Sequence, residues 1–154
     1  MPLTSQKGDF KEFDASKYKV GIVCAEFNND IAQGLLAEAL AECAKYKISS
    51  KNITVHKVAG AVELPLILSK MAKSKKFNVL VALGTVIQGD TPHFDYVCKF
   101  ATEGILRVSL DNSIAIGFGV ITCNTHVQAK IRTNFGSHAV AAALHSAKIL
   151  KEYK

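Results

Sequence analysis

Residues 78–97 read NVLVALGTVIQGDTPHFDYV. The run 78–87 is apolar almost throughout and rich in β-branched side chains, the pattern of a strand covered on both faces, as in a parallel sheet. A helix start follows. Thr91 brings a hydroxyl that can cap free amides, and Pro92 suits the first helical position, where its missing N–H costs nothing. A buried strand that passes through a short loop into a helix is half of a βαβ unit, and the flanking sequence supplies the rest.

Three more β-branched runs stand out: KVGIVCAEF (19–27), ITVHKV (53–58) and SIAIGFGVIT (113–122). Three of the four runs are apolar nearly throughout. Helical periodicity lies between them. Ile31, Leu35, Leu36, Leu40 and Cys43 share a face after the capping cluster Asn28, Asn29 and Asp30, and Phe94, Val97, Cys98, Ala101 and Ile105 share another. Leu66, Ile67, Met71 and Ala72 mark a shorter helix entered through Pro65, and an Ala-rich helix over 139–150 closes the chain. Alternating strands and helices predict an α/β fold: a flavodoxin-like, three-layer αβα arrangement with a doubly wound four-stranded parallel sheet and right-handed crossovers. Such sheets take ligands beyond the carboxyl ends of their strands.

The chain has 154 residues, 49% of them hydrophobic, which is enough for one core and too few for two ordinary domains. Residues 18–154 are read as that domain. Residues 1–17 are polar and mixed, and read as an arm ordered against a neighbour. The formal charge of +6 favours an anionic partner, but the basic residues are scattered without interleaved aromatics, which argues against nucleic acid. Cys24, Cys43, Cys98 and Cys123 are far apart and read as small hydrophobes of a reducing compartment, with no disulfide framework. With no apolar leader and no spanning run, the expectation is a soluble cytoplasmic protein without membrane contact.

The strand ends carry the chemistry. Gln88, Gly89 and Asp90 lie at a helix amino terminus, where free N–H groups and the dipole favour an anion and Gly89 lets the backbone approach it. A phosphate suits this seat, with Asp90 helping through its backbone. His93 falls in the first helical turn, beside the expected anion, where an imidazole can move a proton. A plain surface or capping histidine fits the same spacing. In GAVELP (60–65), Gly60 and Ala61 keep the turn small, and Glu63 is either a ligand-facing carboxylate or only a helix-start charge. Phe27 either stacks on a flat heterocycle or plugs the core, and Phe118 is equally open. Cys123, His126, His138 and His145 lack a common zinc spacing. No phosphate-binding glycine motif of nucleotide enzymes and no serine nucleophile elbow is present.

Taken in order, EFNNDI, GAVELP, GTVIQGDTPHFDYV and GFGVIT resemble the lumazine synthase family over residues 18–150, TPHFDYV being the most specific block. The resemblance implies an enzyme of the penultimate step of riboflavin biosynthesis. Such enzymes condense 5-amino-6-(D-ribitylamino)uracil with 3,4-dihydroxy-2-butanone 4-phosphate, giving 6,7-dimethyl-8-ribityllumazine, phosphate and water, with no cofactor or metal. It implies that Phe27 stacks on the pyrimidine, that Ala61, Val62 and Glu63 hold the ribityl chain and ring edge, and that Thr85, Val86 and Ile87 offer backbone groups to the ring. Asp90 and Thr91 match the phosphate-contacting pair and His93 the proton-transfer histidine. Phe118 and Arg132 match residues that the family supplies from the adjacent subunit. The resemblance therefore implies a homopentamer or a multiple of one, with the arm adding a strand to a neighbour's sheet and riboflavin synthase as a further partner.

After residue 122 the chain departs from the family pattern. THVQAKIRTNFGSHAV is shorter, Val127 replaces a glutamate, and the lysine that often assists phosphate is missing. Arg132 is then the expected phosphate ligand, with Lys130 as a substitute and His138 filling part of the gap. Gln88 stands where an arginine is frequent and is given no catalytic role. The alternative is a non-catalytic riboflavin- or lumazine-binding storage protein that keeps the aromatic cradle; a generic nucleotide-binding module comes third.

Overall fold

A computed structural model describes residues 11–153. Strand β1 (Val20–Ala25) is followed by helix α1 (Asn29–Lys45), β2 (Ile53–Val58), α2 (Leu64–Lys73), β3 (Val79–Ile87), α3 (His93–Asn112), β4 (Ala115–Cys123), the short α4 (His126–Lys130) and α5 (Phe135–Leu150). The four strands form one parallel sheet in the order β2-β1-β3-β4. This is the expected flavodoxin-like three-layer αβα architecture.

Burial follows the pattern of apolar residues. The two central strands are covered on both sides: every residue of β1 is buried, and so is all of β3 up to Val86. Alternation along them divides the core in two. Val20, Ile22, Val79, Val81 and Leu83 pack with α1 and α5, whereas Val23, Ala25, Leu80, Ala82 and Val86 pack with α2 and α3. Edge strand β2 exposes Thr54, His56 and Lys57, as its more polar sequence requires. The α5 layer lies especially close. A Cβ at Gly117 would strike the Ala139 backbone, and one at Gly136 would strike the Leu35 backbone, so glycine sets the spacing of α5 from both β4 and α1.

Several details differ from the sequence reading. In α1 the buried face is Ile31, Ala32, Leu35, Ala39, Glu42 and Cys43, and Leu40 turns partly to solvent. Leu66 in α2 is exposed. The Asn28 side chain makes no cap hydrogen bond; Asn28 instead adopts a left-handed backbone (φ 61°, ψ 60°), which asparagine tolerates better than most residues. Helix α3 begins at His93 with Pro92 at the cap position, one step later than expected, and the Thr91 hydroxyl accepts the His93 N–H at 3.3 Å. Helix α5 begins at Phe135, ahead of the expected 139, because Phe135 and Gly136 already pack on the core.

Of the expected arm over 1–17, residues 1–10 lie outside the described residues. The segment after them docks on its own chain. Phe13 meets Tyr18, Tyr46 and His145 edge-on, Ala15 is fully buried, and its N–H donates to the Tyr46 carbonyl. The helix carboxyl ends carry Lys45, Lys73 and Lys148, with Lys47, Lys75, Lys76 and Lys151 just beyond. With all strands parallel and helices returning between them, these cations collect at the edge of the sheet where strands begin, together with Lys17 and Lys19.

Candidate active site

Since the chain moves from β1 outward to β2 and then back across to β3, the carboxyl ends of neighbouring β1 and β3 form the crevice at which doubly wound sheets take ligands. Phe27 stands at the β1 side of it. Its N–H donates to the Ala59 carbonyl (3.0 Å) while the left-handed turn at Asn28 redirects the chain, leaving the side chain 72% exposed. It does not plug the core. Beside it, residues Ala61–Glu63 form a single 3-10 turn leading into α2, with Ala61 buried and Val62 and Glu63 exposed. Val62 and Glu63 line a cavity of ≈ 470 Å³ together with Val58, Pro65, Leu66 and Phe100.

On the β3 side, Thr85 and Val86 are buried and Ile87 is half-buried. The Thr85 hydroxyl has no hydrogen-bond partner among the described residues. The Gln88 N–H donates to the Cys123 carbonyl (2.9 Å), which extends the ladder one residue past β3. Gly89, Asp90, Thr91 and His93 are all exposed, and nothing lies within 4 Å of where a Gly89 Cβ would sit. The start of the 20-residue α3 is therefore open to a ligand, with the His93 side chain in its first turn. His93 carries no ion-pair partner among the described residues.

Phe118 and Arg132 belong to a second cavity. They line a cleft of ≈ 1330 Å³ running along edge strand β4 between α3 and α5, with His138 and Phe135 on the same wall. Phe118 is 45% exposed and Arg132 is half-buried, while Lys130 is exposed. The rings of Phe135 and His138 stack with centroids 6.0 Å apart. Phe27, Ala61, Val62, Glu63 and His93 do not line this cleft. Phe118 and Arg132 thus line a cleft that these strand-end residues do not, although Phe94, next to His93, and Cys123, bonded to Gln88, line it too.

A model of the 6,7-dimethyl-8-ribityllumazine synthase family matches residues 17–151. The chain belongs to this family. The lumazine synthase family implies a transferase of riboflavin biosynthesis, with small-molecule substrates and oligomer formation. Among the described residues no helix is long and apolar enough to cross a membrane, and no three His, Cys, Asp or Glu side chains gather as a metal-binding group. The four cysteines are free; burial pushes the Cys24 and Cys43 thiols up to about 11.

The sequence reading missed the polar framework at the end of β4. Thr125 and Gln128 form a capping box at the start of α4, and His126 Nε2 meets Asp30 Oδ2 of α1 at 2.9 Å. The box was legible as Thr-x-x-Gln. The Asp30–His126 pair was not, because ion pairs distant in sequence leave no local pattern.

Proposed function

We propose that this protein condenses 5-amino-6-(D-ribitylamino)uracil with 3,4-dihydroxy-2-butanone 4-phosphate to 6,7-dimethyl-8-ribityllumazine, phosphate and water, at sites shared between subunits of a homopentamer. The observation that carries this reading is the division of the site: Phe118 and Arg132, an aromatic and a cation, line the β4 cleft, and Phe27, Ala61, Val62, Glu63 and His93 do not. A heterologous ring brings such unlike faces together at every contact and closes on itself. The exposed apolar residues Leu66, Phe100, Leu110 and Phe118 suit burial in those contacts.

In this reading Phe27 stacks on the pyrimidine, Ala61, Val62 and Glu63 hold the ribityl chain, and the backbone of Thr85, Val86 and Ile87 reads the ring edge. The phosphate sits at the open start of α3, against Asp90 and Thr91, with Arg132 from the neighbour. Amine attack on the ketone gives a carbinolamine that loses water to an imine; elimination then expels phosphate, and the second amine closes the ring with loss of water. Each step moves protons between groups that binding has already aligned, the work suited to His93 and to a site built for positioning. Arg132 and the helix start stabilise the charge of the departing phosphate.

Mixing the two substrates with the assembled protein tests this: the expected result is formation of the lumazine chromophore without added metal. Tight riboflavin or lumazine binding by a folded assembly that makes no product would instead establish the storage protein.

A further inference from the structure

We infer that Gln128 is a positioning residue for Arg132, acting through the capped turn α4. This rests on the phosphate role proposed for Arg132. The Arg132 guanidinium donates through Nη1 to the Gln128 main-chain carbonyl at 2.7 Å, so its place follows that of Gln128. Gln128 is itself pinned at both ends. Its N–H donates to the Thr125 hydroxyl (3.1 Å), and its side-chain Oε1 accepts from the N–H groups of Asn124 (2.8 Å) and Thr125 (3.3 Å), the two residues that follow β4. Next to Gln128, Ala129 is fully buried, and at the head of the turn His126 pairs with Asp30 of α1.

The argument turns on size. A helix of only five residues has almost no cooperativity of its own, so its shape depends on the cap that starts it. An arginine side chain has several rotatable bonds, and a hydrogen bond from its head to this carbonyl narrows the positions that the cation can take in the cleft. The side chain of Gln128 thus acts on the anion through Arg132. Glutamate can replace it in the box, since a carboxylate accepts the same two amides; alanine cannot.

The test measures inorganic phosphate affinity by calorimetry, and KM and kcat with both substrates, for wild type, Gln128→Ala, Gln128→Glu and Arg132→Ala. The expected result is that Gln128→Ala weakens phosphate binding about five-fold, the loss of one helix cap, and lowers kcat/KM for the phosphorylated substrate by a similar factor, less than Arg132→Ala does. Gln128→Glu restores wild-type behaviour. Wild-type phosphate affinity in Gln128→Ala, alongside a weakened Arg132→Ala, overturns the positioning role alone. Identical phosphate binding by wild type and Arg132→Ala overturns the phosphate reading of Arg132 itself. Should Gln128→Ala fail to fold, Thr125→Val removes the same box from its other partner and faces the same criteria against Thr125→Ser.

Discussion

Phe27 and His93 show what a single side chain contributes here, because both are exposed where core packing would have hidden them. His93→Ala is expected to slow turnover on the order of a hundred-fold while leaving assembly intact, read by steady-state kinetics beside a light-scattering mass. An unchanged rate would make it a plain surface histidine. The buried thiols predict a different behaviour. Desolvation raises Cys24 and Cys43 from 9.0 to about 11, so the folded state favours their neutral form. Their contribution to stability is complete below pH 9 and is lost as pH rises through about 11, a decline that denaturant titrations should find shallower in Cys43→Ala. At this scale the sequence showed residue types and their neighbours in the chain. It left open which way Phe27 turns, a matter decided by the left-handed backbone of Asn28.

The strands were the most legible elements, since β1 and β3 are buried on both faces and their sequences are apolar in consequence. Helix starts were less so. Leu40 and Leu66 are apolar yet exposed, while Glu42 is 1% exposed, so hydrophobicity alone misassigned the faces of α1 and α2. The turn α4 is too short to show any period. Two glycine substitutions separate packing from ligand access. Gly136→Ala should destabilise by about 1–3 kcal/mol in urea unfolding, because backbone of α1 would have to shift. Gly89→Ala meets only open space, and among the described residues no glycine has positive φ. It should therefore change stability by less than about 0.5 kcal/mol, and any effect should appear in phosphate affinity.

At the scale of the whole molecule, the two sets of site residues make a prediction that no single-subunit site shares. His93→Ala and Arg132→Ala, each defective alone, are expected to regain activity when co-assembled, since an equal mixture leaves about a quarter of the contacts with both residues intact. Activity equal to the mean of the separate variants would place the whole site within one chain. The fold could be read from the order of strand and helix, whereas this partition could not, because no local pattern tells which residues line the β4 cleft.

The lysines gathered where the strands begin have a consequence for the encounter with substrate. They lie at the end opposite the proposed phosphate seat, and a screening length of about 8 Å at physiological ionic strength keeps their attraction from reaching across the subunit. An approaching anion is therefore not steered inward by the overall surplus of +6, and capture falls to the short-range grip of a few local groups.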